Sequence, residues 1–191
     1  LCAEQGLIDK RIEALATTVA ESPYDKDAPQ LLADLYMRTG DYVLGLEMVE
    51  KAIGFQPRNK ELLTRKAELF EALEEWDRAK LAHEELLKFP DAERDVHLAG
   101  IGQALYESGR ATEAKGVFEK IVDRGRVASL YKKYELHDEA IEFYKSAISR
   151  NPADLKSYVD LAEQLVERNR QQEAIGSLER ALNLNPFHRR S

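Results

Sequence analysis

What this sequence is short of narrows it sooner than what it contains. A single cysteine, Cys2, excludes an internal disulfide and any metal site built on several thiolates, and it suits a reducing compartment. No apolar run approaches the roughly 18 residues of a membrane span, so direct membrane insertion is not expected. Basic residues do not predominate: 28 Lys and Arg against 35 Asp and Glu give a net charge of −7. That balance disfavours a nucleic-acid binder, whose affinity comes from neutralising phosphates, and equally a surface that docks on anionic lipid. Prolines number six and glycines ten in 191 residues, several of them at regular boundaries, so nothing reads as a long disordered linker. The chain starts at Leu1 without a methionine or a signal-like segment. It reads as a fragment or processed product, with any targeting sequence out of view. A lipid-carrying role for Cys2 is set aside, because such a cysteine is normally the first mature residue. A cytoplasmic setting is the expectation, with an organelle or the periplasm left open.

What is present is a period. Gly45, Ala79, Ala114, Ala140 and Ala174 are separated by 34, 35, 26 and 34 positions. Each small residue follows a turn-like stretch such as Thr39-Gly40-Asp41 or Gly109-Arg110. Around each, apolar residues recur at helical spacing. In the first copy Leu31, Leu32, Leu35 and Tyr36 precede the break, and Leu46, Val49, Ala52 and Ile53 follow it, stopped by Gln56-Pro57. This is helix, tight turn, helix, then proline, which cannot continue a helix. The grammar returns over residues 62–90, 96–122 and, most regularly, 155–186. A second set of small residues, Ala33, Ala67, Gly102, Ala128 and Ala162, falls midway along each first helix. Two helices of a hairpin approach closely only where side chains are small. A fixed period of this length means stacked repeats, and such stacks act through an extended surface.

The 34-residue period, Ala or Gly at those two sites, the aromatics Tyr36, Phe70, Phe118 and Tyr144, and prolines after the second helix resemble the tetratricopeptide repeat. The resemblance covers nearly the whole chain. It implies an all-α fold, an alpha-solenoid in which antiparallel helix pairs form a right-handed superhelix. The expected organisation is one array over residues 1–191. A partial repeat occupies 1–25, and repeats follow at 26–59, 60–94 and 95–123. A shortened repeat spans 124–154, and a last one spans 155–191 without a visible capping helix. Residues 7–23 read as a second helix whose partner is cut, since Pro57 lies 34 positions after Pro23. The 26-residue spacing predicts a stubby helix over 127–134 and a discontinuity at Asp123-Arg124-Gly125-Arg126, by true deletion or by absent residues.

Signals for chemistry are weak. His83, His97, His137 and His188 show no metal-ligand spacing. His83 reads as a packing histidine with a ligand or switch as the minor alternative, His137 as part of a helix start, and His97 and His188 as surface residues. No nucleophile elbow or phosphate-binding loop is found. Gly100-Ile101-Gly102 neither follows a strand nor opens a helix, and close packing at Gly102 explains it better. The many glutamates read as solvated helix faces, and Trp76 as a packing aromatic. Neither catalysis nor a cofactor or metal is expected.

In the resembled family the first helices line the concave face, where peptide partners lie. Residue by residue, that face implies Gln30, Asp34, Met37, Arg38, Thr64, Glu68, Glu71, Gln103 and Tyr106. Further on come Lys132, Lys133, Lys156 and Glu163. The carboxylate clamp of chaperone-binding members is not assembled, because Gln30, Asp34, Thr64, Arg65 and Glu68 stand in its places. An acidic groove with a basic spot at Lys132 and Lys133 favours a protein or peptide partner with basic segments. The leading expectation is a non-catalytic interaction scaffold. The alternative is the substrate-recognition region of a larger enzyme, such as a glycosyltransferase, with its catalytic domain elsewhere. RNA binding by the related pentatricopeptide design is disfavoured by the period and the acidic face. Self-association through the uncapped last repeat is a further expectation.

Overall fold

The computed structural model describes residues 2–184, so Pro186, His188 and the rest of the tail lie outside the described residues. Those residues form eleven helices and no strand. The chain divides into two compact units, residues 1–122 and 123–191. The first contains α1 (Cys2–Glu21), α2 (Ala28–Thr39), α3 (Tyr42–Phe55), α4 (Lys60–Ala72), α5 (Trp76–Leu86), α6 (Arg94–Glu107) and α7 (Ala111–Phe118). The second contains α8 (Arg124–Lys133), α9 (His137–Arg150), α10 (Leu155–Glu167) and α11 (Gln171–Leu184). Within each unit every helix packs on the next in the chain. Short connections between neighbours make the pairs antiparallel, as expected of an α-solenoid.

Apart from α1 the helices run to 14 residues at most, too short to stand alone, so turns and packing must hold them. The five hairpin turns are built alike. One residue in each takes the left-handed conformation: Gly40 (φ 84°), Glu74 (58°), Gly109 (80°), Glu135 (51°) and Asn169 (56°). The next residue sends its N–H back to the carbonyl five positions earlier. These bonds run from Asp41 to Tyr36, Glu75 to Phe70, Arg110 to Leu105, Leu136 to Tyr131 and Arg170 to Leu165, at 2.8–2.9 Å. A left-handed residue with this back-bond satisfies carbonyls that a helix end leaves orphaned. The period of the chain is therefore the period of this turn. Where side-chain caps occur they are Asn59, which accepts from Glu61 and Leu62 N–H, and Asp123 and Asp154, which accept from Arg126 and Ser157 N–H.

Small residues sit where helices touch. Ala33, Ala67, Ala79 and Ala114 have no exposed surface, and Ala140, Ala162 and Ala174 have almost none. A side chain on Gly45 would meet Leu69 at 3.3 Å, and one on Gly102 would overlap the buried ring of Phe118. Ala128 departs from the expectation by being only half-buried. α8 is ten residues long and packs lightly on α9, burying Val127, Leu130 and Tyr131 instead. Leu31, expected in the buried stripe of α2, is 52% exposed. In the first unit Leu32, Val49, Leu69 and Phe70 form a core against which Trp76 and the Ile12, Leu15 and Val19 stripe of α1 pack. α1 is one continuous helix through Gly6, so residues 2–6 extend it. Phe70 carries Arg78 over its ring at 4.3 Å and Lys66 at 5.6 Å.

The short spacing is absorbed between hairpins. α7 has eight residues and α8 ten, against 14 in α3, α9 and α11. The shortening falls on α7 even more than on the helix expected to be stubby. Residues 119–123 join them, and the Val122 N–H donates to the Asp95 carboxylate at 3.1 Å.

Candidate partner-binding surface

In the second unit two of the predicted positions, Lys132 and Glu163, line a groove of about 640 Å³. α10 forms its floor with Val159, Ala162 and Val166, and α11 adds Leu178. The helical repeat places Val159, Glu163 and Val166 on one side of α10, and Val159 and Val166 stay 37% and 51% exposed. Glu163 and Glu167 from α10, Glu135 from the α8–α9 turn and Lys132 from α8 supply charges around the apolar floor. His137 begins α9 and bridges to α10 through a 3.0 Å hydrogen bond with Gln164, which fixes one wall. Lys132 and Glu163 thus come together at one groove. Lys133, with its ammonium 5.1 Å from the Tyr134 ring centroid, and the exposed Lys156 are not among the lining residues. Three carboxylates face one lysine, so the groove is acidic and amphipathic.

In the first unit the predicted positions are more committed to the fold. Asp34 pairs with Arg65, which also holds Glu61 at 2.9 Å. Thr64 donates its hydroxyl to the Lys60 carbonyl at 2.9 Å, and Met37 packs on the core. Gln30, Gln103 and Tyr106 are half-buried, whereas Arg38 and Glu68 are exposed. Partial desolvation and then the neighbouring Glu71 hold the Glu68 carboxyl above the ordinary range, despite Arg65 nearby. Glu71 bonds inward, its Oε1 lying 3.0 Å from His83 Nε2.

His83 and His97 are both buried, at 6% and 3% exposure, with their Nδ1 atoms 3.3 Å apart. His97 is therefore not the surface residue expected. α6 lies between α5 and α7 and buries residues almost all round, so no polar face was available to it. Gly100 lies where any Cβ would overlap the His83 ring, so this glycine makes room for the imidazole. Among the described residues no group of three or more His, Cys, Asp or Glu side chains is arranged to hold a metal ion. No described helix is long and apolar enough to cross a membrane.

Sequence reasoning missed Glu135, His137, Gln164 and Leu178. It carried over first-helix positions only, whereas the groove also uses a turn and a second helix. The left-handed position shared by Glu135 with Gly40 and Gly109 was the available signal for the turn.

Comparison with known proteins agrees with this architecture. A family model described as tetratricopeptide repeat matches residues 125–154, the copy that contains α8 and α9. None of the curated proteins compared matches the sequence. Among solved structures, a tetratricopeptide repeat protein from Parabacteroides merdae superposes with a TM-score of 0.60 at 20% identity, covering 95% of this chain and 75% of that one. MamA gives 0.53 at 14% identity over 99% and 95% of the two chains. YrrB, described as a TPR protein with an unusual peptide-binding site, gives 0.53 at 16% identity over 93% and 95%.

Proposed function

Starting from a tetratricopeptide-repeat protein, we propose that this chain is a non-catalytic scaffold that holds a partner peptide on the face built by its first helices. The second-unit groove is the principal contact. The observation that carries the reading is the coincidence of an apolar floor (Val159, Ala162, Val166, Leu178) with an acidic rim (Glu135, Glu163, Glu167). Pockets of this kind take an apolar side chain on the floor and use the rim for orientation. The charge complements a segment in which Lys or Arg flanks an apolar residue, chiefly through encounter rate and specificity. A cytoplasmic setting suits the single cysteine. The test is fluorescence anisotropy on peptide arrays graded in charge. Basic–apolar peptides bind and acidic ones do not, and Glu163→Lys with Glu167→Lys weakens binding at least tenfold. Equal binding of acidic and basic peptides, or unchanged affinity in the double variant, removes the groove from the account.

A second reading, self-association, has its own observation. On α9 the side chains of Ile141 and Tyr144 are covered by α10, with 1% and 6% exposure. The same positions one period later, Ile175 and Leu178 on α11, are 50% and 42% exposed, and Leu182 is 41% exposed. A second copy pairing through this stripe gives a concentration-dependent dimer that Ile175→Lys abolishes. Sedimentation showing monomer at all concentrations refutes it.

A further inference from the structure

The buried histidine pair belongs to no repeat position that partner binding needs, and its geometry sets a constraint of its own. Glu71, as a carboxylate, can only accept, so His83 donates Nε2–H to it across 3.0 Å. The His83 Nδ1 is then a lone pair, and it can only receive the Nδ1–H of His97 across 3.3 Å. That leaves His97 Nε2 without a proton. This atom is buried and has no hydrogen-bond partner among the described residues. The tautomers follow from this one-way chain of donors.

We propose that Glu71, His83 and His97 form a proton-operated latch between α4, α5 and α6, closed when both rings are neutral and opened by acid. An added proton can enter in two ways. It can bind His97 Nε2 directly. Alternatively it can bind His83 Nδ1, which then donates to His97 Nδ1 and obliges the His97 proton to move to Nε2. Both routes end with a proton on His97 Nε2, where no described group accepts it. A buried donor left unsatisfied costs the desolvation of that group.

The charged surroundings are Lys60, Glu68 and Glu71 from α4 and Glu93 at the N-cap of α6, with Lys60 itself held by Asp91 at 2.9 Å. Burial, then the His83 ring, hold the His97 imidazole below the usual histidine range, with Glu93 only partly opposing. A depressed histidine stabilises the fold above its unfolded value of about 6.5. It loses that contribution as pH falls below this, because the unfolded chain takes up the proton first. Gly100 gives the latch its room, since the His83 ring rests against bare backbone where any Cβ would overlap it. The latch stands whether or not a partner binds nearby.

The experiment is imidazole ¹⁵N NMR on the full chain, with thermal melts at pH 7.5 and 5.5. At pH 8 the expected tautomers are Nε2–H for His83 and Nδ1–H for His97. The wild-type melting temperature falls by roughly 2–8 °C between the two pH values, and His97→Phe abolishes most of that difference. Finding His97 as Nε2–H at pH 8 overturns the latch, as does an equal acid-induced drop in wild type and variant. If His97→Phe fails to fold, Glu71→Leu with the tautomer measurement still decides: loss of the acceptor for His83 Nε2–H must disturb the His97 Nδ1–H signal, and an unchanged spectrum refutes the chain of bonds.

Discussion

Replacing Glu74 or Glu135 with glycine should stabilise this protein, and the two replacements should differ in function. Both glutamates occupy the left-handed position of a hairpin turn, at φ 58° and 51°, where Gly40 and Gly109 serve at 84° and 80°. A residue with a Cβ costs roughly 1–2 kcal/mol there, because the Cβ crowds the following carbonyl. Glycine removes that strain but adds roughly 0.5–1 kcal/mol of unfolded-chain freedom. The net gain is about 0.5–1 kcal/mol for each change, or about 1–4 °C in melting temperature. Both glutamates have exposed side chains, so little native contact is lost. Circular-dichroism melts and urea titrations of Glu74→Gly, Glu135→Gly and the converse Gly40→Ala measure it. Gly40→Ala should lose about 1 kcal/mol, although nothing stands within 4 Å of its added Cβ, because the backbone angle alone penalises it. Glu135 also lines the acidic groove, so Glu135→Gly should weaken a basic peptide while Glu74→Gly leaves it unchanged. The reasoning is refuted if Glu74→Gly destabilises or if Gly40→Ala is neutral.

Three further outcomes follow from the packing. Gly102→Ala forces a Cβ into the Phe118 ring, so it should cost roughly 1–3 kcal/mol by denaturant titration despite better helix propensity; a gain in stability would show that the ring yields freely. Ala174→Leu, at a site 2% exposed between α10 and α11, should cost a similar amount, against no loss for a surface control on the same helix. Asp154 accepts from the Ser157 hydroxyl at 2.7 Å and from Arg124 at 2.6 Å, and its carboxyl is held below the usual range chiefly by that hydroxyl. Its contribution is present above the ordinary carboxylate value and lost as pH falls through the lower folded one. Asp154→Ala should therefore cost about 1 kcal/mol at pH 7 and show a shallower loss below about pH 4.

The helices were legible because one turn repeats, and a fixed backbone motif stamps its period on the small residues around it. Glu74 and Glu135 show the limit of that legibility: the turn tolerates a strained residue, so its most informative position need not hold glycine. His97 could not be read correctly from its neighbours. An amphipathic pattern assumes one covered face, and α6 is covered by α5 on one side and α7 on the other. Its partner lies 14 residues away on another helix, a pairing no local spacing announces. The groove was half legible. Lys132 and Glu163 followed from the first-helix positions, while Leu178 came from a helix assigned only to packing. Asp34, Met37 and Thr64 occupy the expected positions, yet the fold spends their side chains on an ion pair, the core and a backbone carbonyl.

The shortened α7 and α8 have a consequence for how the chain tolerates change in length. Every hairpin turn keeps its back-bond and left-handed residue, while the residues missing from the 26-position spacing are taken from helix ends at the joint 119–123. Length is thus rigidly set inside a hairpin and loosely set between hairpins. A tag or sensor segment grafted into 119–123 meets the part of the chain where the period already varies, whereas the same graft at 134–136 breaks a turn.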